Sequence, residues 1–246
     1  MSYFETVKPT YIENWPAEMA ELSIPQTSIK LSVDDARNVG SNIADLGVMF
    51  AAKPADIRPL EYHAAQILEN NYPKGAYVRL GSRGPKDIGN NLKVTVNDNP
   101  FRYLLSASER IADDLYLAIQ NEYSPHLFIR KWQDIEPWAE FRCFMRNRKL
   151  EGVSQYHYFD GSYKEICDNH RNIAATISRF FDKFSTISHL DDVVCDVFLK
   201  NEEVRLLDLN PYTNITDPCL FEWAASFDRT FRYISHYTGS VTHARL

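Results

Sequence analysis

The chain has 246 residues, 44% hydrophobic and 24% charged, enough to bury a core as one domain or as two tightly joined lobes. A formal net charge of −6 argues against a general nucleic-acid binder, while leaving room for a local basic groove. No basic segment followed by an apolar stretch marks a secretory leader, and the longest apolar run, 46–52, is too short to span a bilayer. Four scattered cysteines, with Cys143 and Cys195 inside apolar strand patterns, suit buried free thiols and a reducing compartment, so a cytoplasmic location without membrane contact is expected.

Residues 1–30 are rich in proline and aromatics without periodicity, and are expected to wrap over the core. Ser32 followed by Asp35 reads as a helix start. Val33, Ala36, Val39, Ile43 and Leu46 continue it at helical spacing. A second helix is expected over 60–70, then a strand over 76–80 that ends in the loop Gly81-Ser-Arg-Gly-Pro-Lys-Asp87. Ile111, Leu115, Ala118 and Ile119 place a third helix over 108–123. Strands follow over 127–132, 140–146 and 150–158, with Asn147-Arg-Lys149 as a hairpin turn, and then a helix over about 170–185. A hairpin joins 193–200 to 204–209, and the stretch 220–237 reads as helical. Antiparallel hairpins without βαβ alternation give an α+β class.

Chemistry concentrates in that last hairpin. Asp196, Asp208 and Asn210 interrupt its apolar pattern, and an ionised carboxylate in a buried strand is expensive unless a cation or a donor network satisfies it. Two carboxylates and an amide suit Mg²⁺ that also keeps waters and phosphate oxygens. Parity decides between readings. A two-residue turn at Asn201–Glu202 puts Asp196 opposite Leu207 and sends Asp208 to the other face, whereas a three-residue turn, or a bulge of the same effect, puts Asp196 opposite Asp208. The alternative is that these residues only end a strand and form turn chemistry.

Elsewhere, the 81–87 loop has two glycines, a hydroxyl and two cations after a strand. It reads either as a phosphate-binding loop without P-loop spacing or as an exposed basic turn. Phe128-Ile-Arg-Lys-Trp132 offers a backbone edge for adenine, or a core anchor at Trp132. Alternation puts Glu140 and Arg142 on one face, either as an ion pair or with Arg142 aimed at an anion, and Gln155 on the partner strand extends that face. Histidine spacing gives no zinc motif, and G-x-S-x-G and G-x-G-x-x-G are both absent.

In order along the chain, Arg79-Leu-Gly-Ser-Arg-Gly-Pro-Lys-Asp87, Phe128–Trp132, Glu140-Phe-Arg-Cys-Phe144, Gly152-Val-Ser-Gln155, Asp196-Val-Phe198, Asp208-Leu-Asn-Pro211 and Thr216-Asp-Pro-Cys-Leu-Phe-Glu-Trp223 resemble the cell division cycle protein 123 family, a branch of the ATP-grasp superfamily. That resemblance implies an ATP-grasp fold, two α+β lobes with antiparallel sheets clasping a nucleotide, here divided as 1–125 and 126–246. It implies ATP and Mg²⁺ as cofactors, with Asp196, Asp208 and Asn210 on the metal. Arg79, Ser82 and Lys86 would face the phosphates, with Arg142 as a further cation beside Glu140. Arg130, Lys131 and Trp132 would line adenine and ribose, and Gln155 would lie beside the nucleotide. Arg79 stands where eukaryotic members generally have Lys, and Gly81-Ser-Arg83 where they usually have Asn-Trp-Ser.

Eukaryotic members act as assembly factors for translation initiation factor 2 through its gamma subunit. The resemblance therefore implies an ATP-dependent assembly factor for that client or another protein. The alternative is an ATP-dependent ligase, joining a carboxylate to an amine or thiol through an acyl phosphate, or acting on RNA. No residue is assigned a catalytic role. Asp196→Ala is expected to weaken Mg²⁺-dependent ATP binding with the fold intact.

Overall fold

A computed structural model of the chain describes residues 2–43, 53–89, 91–106, 108–225 and 227–246. The apolar run 46–52, and with it Leu46 of the first expected helix, lies outside the described residues. The chain divides into two compact units, Met1–Glu13 with Pro25–Gln133, and Asn14–Ile24 with Asp134–Leu246.

The first unit is a four-stranded sheet under helices, in the order β1 (Gln26–Lys30), β4 (His126–Lys131), β2 (Ala76–Leu80), β3 (Lys93–Val94). Its main helices are α1 (Val33–Ser41), α2 (Arg58–Asn71) and α3 (Glu109–Gln120). Helix α1 starts at the predicted capping box: Asp35 N–H donates to Ser32 Oγ at 3.0 Å, and Ser32 N–H to Asp35 Oδ2 at 3.0 Å. Ile29, Ala76, Val78, Leu80, Leu127 and Ile129 form one face of the sheet and pack with Leu68, Ile111 and Leu115 from the helices. Cross-strand partners share a face, so the pairs Gln26↔Arg130, Tyr77↔Arg130 and Arg79↔Phe128 build a second, polar face. Strand β1 falls in a stretch expected to be irregular. It is an edge strand with one buried hydrophobe, Ile29, which leaves little periodicity to read. Strand β4 belongs to this sheet, whereas the sequence expectation began the second lobe at residue 126.

The second unit is a six-stranded sheet, β10 (Val241–Arg245), β9 (Thr230–Ile234), β6 (Lys149–Gln155), β5 (Glu140–Arg146), β7 (Val193–Lys200), β8 (Glu203–Asn210). Helix α4 (Lys164–Ile187) buries Ile173, Ile177, Phe181 and Phe184. It covers the face of Phe141, Cys143 and Phe231: Phe141 meets Phe231 edge-on, and His170 of α4 stacks on Tyr233, two residues along β9.

The expected helix over 220–237 is instead a run of turns followed by β9, which pairs in parallel with β6. The aromatics of this stretch cap the sheet. Phe221, Trp223 and Phe227 pack with Tyr212 over Phe144 and Val194 on the opposite face of the sheet. Gly152, which stands opposite Phe144, makes room for them, since a Cβ there would lie 2.7 Å from Phe221 Cζ.

Candidate functional site

The β7–β8 hairpin closes through a two-residue turn. Asn201 and Glu202 both take positive φ, 52° and 63°, as this turn type demands. From Lys200↔Glu203 the register runs to Val197↔Leu206 and then jumps to Asp196↔Asp208, so Leu207 is the extra residue of a bulge. The bulge reverses the parity that a two-residue turn imposes. Asp208 and Asn210 share the face of Asp196, and Asn210 Nδ2 donates to Asp196 Oδ2 at 3.0 Å. The earlier segment Leu22–Ser23 pins the bulged edge: Leu206 N–H donates to Leu22 O at 2.9 Å, and Ser23 Oγ to Leu206 O at 2.7 Å.

Asp196 is nearly fully buried, and its charge is met inside the protein. Arg142, directly opposite on β5, donates from Nε to Oδ1 at 2.8 Å and from Nη2 to Oδ2 at 2.9 Å, a bidentate pair. Burial works against the Arg142 charge, but Asp196 outweighs it and holds the guanidinium protonated well above its usual range. The 216–220 segment closes over the pair. Arg142 Nη1 donates to Asp217 O at 2.8 Å, Leu220 N–H to Ser154 Oγ at 3.2 Å, and Trp223 Nε1 to Thr216 O at 2.6 Å. Cys219 is part of this segment, its thiol pushed up to about 12 by burial. Asp208 and Asn210 offer a carboxylate and an amide oxygen of the kind a hard divalent cation takes, on one face of one hairpin, whereas both oxygens of Asp196, expected as a third ligand, are engaged by Arg142 and Asn210. Among the described residues no group of three His, Cys, Asp or Glu side chains forms a metal cluster.

Two other expectations resolve differently. Glu140 and Arg142 do share a face, but not an ion pair. Glu140 Oε2 meets His157 Nε2 at 3.2 Å, while Arg142 takes Asp196. Gln155, expected to extend that face, lies on the other one. It stands opposite Phe141, and Ser154 is the residue opposite Arg142. The buried Gln155 amide is held by backbone groups: Nε2 donates to His157 O at 3.0 Å and to Gly161 O at 2.7 Å, and Ile234 N–H donates to Oε1 at 3.0 Å. His157, Ser154 and Asp217 escaped sequence reasoning, because only the fold brings them to Glu140 and Arg142.

In the first unit, Arg79 and Arg130 share the polar sheet face, whereas Lys131 stands opposite Ala76 on the other face and is exposed. Arg79 is buried. Its Nε donates to Leu80 O at 2.9 Å and its Nη2 to Ser82 O at 3.3 Å, which fixes the start of the 81–87 loop. Trp132 is half-buried, with Lys93 Nζ 6.0 Å from its ring centroid.

The loop is also anchored to α3. Arg83 Nε donates to buried Asp114 Oδ1 at 2.9 Å, Ser108 Oγ to Asp87 Oδ1 at 2.7 Å, and Arg110 N–H to Asp87 Oδ2 at 3.2 Å. The cation on this loop that points outward is Lys86, which is exposed. The two loop glycines make room for protein atoms: a Cβ on Gly81 would overlap Glu13 Oε2, and one on Gly84 the Tyr77 hydroxyl.

The D123 family pattern matches residues 78–234, more than half of the chain. The chain belongs to the D123 family. Its relatives include proteins named translation initiation factor eIF2 assembly protein. The one from Candida albicans is 26% identical over 180 residues, covering 65% of this chain and 51% of the relative. The one from Dictyostelium discoideum is 34% identical over 164 residues, covering 60% and 41%. This D123 chain spans about half the length of the curated relatives it matches. Cdc123 from Schizosaccharomyces pombe superposes with a TM-score of 0.74 at 21% identity, covering 91% of this chain and 92% of that one, so the two share a fold. The family read from the ordered motifs and the α+β class with antiparallel sheets are both borne out. Among the described residues no helix is long and apolar enough to cross a membrane.

Proposed function

We propose that this D123 chain is an ATP-grasp-like protein that binds ATP with Mg²⁺ and works in the cytoplasm as an assembly factor for translation initiation factor 2, meeting it through the gamma subunit. The observation that carries the ATP reading is the bulge at Leu207, which brings Asp208 and Asn210 onto the face of Asp196. The relatives' names support the assembly role.

Asp208 and Asn210 supply the direct metal oxygens, and Asp196 orients Asn210 and holds Arg142 in place. A Mg²⁺ held by Asp208 and Asn210 would supply positive charge to offset that of the phosphates. Arg142 keeps its charge because it is paired, and Glu140 is held by His157. In the first unit, Arg79, Ser82 and Lys86 serve the phosphates, and Arg130 and Trp132 the ribose and base. Lys131 and Gln155 are given weaker parts. Lys131 faces away from Arg130, and Gln155 holds its strand end by backbone bonds.

Calorimetric titration with ATP, with and without Mg²⁺, tests the reading. Mg²⁺-dependent binding that Asp208→Ala abolishes supports it, and no heat of binding in either condition overturns it. Retention of the purified gamma subunit on immobilised protein supports the assembly role. Steady ADP release in the presence of amine or thiol acceptors, abolished by Asp208→Ala, would replace that role with a ligase.

A further inference from the structure

The 81–87 loop rests on a half-buried acid that the nucleotide reading does not use. Glu13 sits at the end of the first unit's N-terminal segment, and its neighbour Ile12 donates its N–H to Gly81 O at 3.1 Å. Gly81 N–H donates in turn to His126 O at 2.9 Å, so both sides of this residue are tied. Glu13 Oε1 accepts from Tyr123 Oη at 3.0 Å and from His126 N–H at 3.4 Å. Its Oε2 is shielded from solvent, has no hydrogen-bond partner among the described residues, and occupies the space a Cβ on Gly81 would need. The groups around it are Arg79 from β2, Tyr123 from the connection after α3, His126 at the start of β4, and Tyr11 from its own segment, with Arg83 and Asp114 beside Tyr11.

We propose that Glu13 is a positioning residue of the 81–87 loop, and that an anion taken up on this loop drives proton uptake by the Glu13 carboxyl. The second half rests on the assignment of Arg79, Ser82 and Lys86 to phosphate. Burial disfavours the Glu13 carboxylate, and the positive charge of Arg79 is among the influences that favour it. A phosphate group drawn to Arg79 cancels part of that field. The carboxylate then loses support, and a proton from the buffer neutralises it on Oε2, the oxygen without a donor. The same closeness explains the glycine, since any side chain at 81 would push Glu13 off Tyr123 or move the loop.

The experiment has two arms. Calorimetric titration with Mg·ATP is run on the full chain between pH 5.5 and 7.5, in buffers of different ionisation enthalpy, for the wild type and Glu13→Gln. Net proton uptake in the wild type that is lost in Glu13→Gln supports the coupling. Binding with the same proton count in both proteins overturns it and leaves the ATP reading standing, whereas no binding by the wild type overturns that reading and the coupling with it.

The second arm needs no nucleotide. Amide hydrogen exchange over 81–87 is measured in the wild type, Glu13→Gln and Glu13→Ala. Protection about tenfold lower in Glu13→Ala, restored by the isosteric Gln, supports the positioning role, in line with the cost of leaving buried hydrogen-bonding groups unmet. Unchanged protection in Glu13→Ala overturns it.

Discussion

Asp208 stands directly opposite Asp196 although the turn joining their strands has only two residues, because Leu207 is bulged out between them. A straight hairpin would leave Asp208 on the α4 side of the sheet. Deleting Leu207 removes the bulge but keeps the pairing of the two carboxylates, because Asp208 then follows Leu206 and still falls opposite Asp196. The expected result is a folded protein that retains Mg²⁺-dependent ATP binding, since Asp208 and Asn210 keep their face. Calorimetry checks the binding, and loss of Mg²⁺-dependent affinity in a folded deletion variant contradicts the assigned metal face.

The two carboxylates are expected to respond differently to truncation. The Asp196 side chain is 6% exposed and that of Arg142 8%, so Asp196→Ala strands a buried guanidinium and should cost about 3–5 kcal/mol in urea unfolding. This replaces the expectation that the fold would tolerate the change. Adding Arg142→Met should recover part of the loss. Asp208 is only half-buried, so Asp208→Ala should stay within about 1 kcal/mol of the wild type and lose Mg²⁺-dependent ATP binding. Equal destabilisation by both substitutions would show that the two residues are structural alike.

Some of this was legible in the sequence and some was not, and the division follows the range of the interactions. The Ser32–Asp35 box and the 76–80 strand rest on neighbours a few residues apart and appear where their local signal put them. So do both hairpins, except that each turn has two residues, with Lys149 and Glu203 already in strands, and β6 ends at Gln155 instead of 158. The bulge depends on Leu206 being held by Leu22 and Ser23, far away in sequence, so hairpin composition alone could not choose between the two parities. Gln155 went to the wrong face because the register of β6 is fixed by β5, and strand parity has no anchor until a partner supplies one. The aromatics after residue 220, expected in a helix, pack as a cap over Phe144 from turns, a contact that only the tertiary fold supplies.

Two basic residues on the 81–87 loop have separate jobs. Arg83 neutralises Asp114, whose side chain is 4% exposed, whereas Lys86 is exposed. Arg83→Ala should therefore cost about 2–3 kcal/mol, less than a fully buried pair because the Arg83 side chain is 32% exposed. Lys86→Ala should leave stability within about 0.5 kcal/mol and weaken ATP binding. Thermal unfolding and calorimetry on the two variants separate these effects. A stable Arg83→Ala protein with weakened binding would reverse the roles.

Gly152 is expected to tolerate no side chain while Phe221 is in place. Gly152→Ala sets a methyl group against the Phe221 ring at 2.7 Å and should cost about 1–3 kcal/mol. Shortening the ring with Phe221→Leu in the same chain should return part of that loss. If the double variant is as unstable as the sum of the two single ones, the strain lies elsewhere than in this contact.

Glu13 gives the pH dependence its sign. Burial raises its folded-state pKa above the ordinary value of 4.5, so between the unfolded and folded values the native protein binds more protons than the unfolded chain. Its contribution is then fully present below pH 4.5 and is lost as pH rises through the raised value, the reverse of a salt-bridged carboxylate. Asp87 and Asp228, whose pKa values are lowered, pull the other way at the acid end. Glu13→Gln keeps the shape and removes the titration. Urea unfolding from pH 4 upward should show the variant gaining stability relative to the wild type as pH increases, with the two converging toward the acid end. A constant difference across that range would mean that the carboxyl does not titrate differently in the folded and unfolded chain.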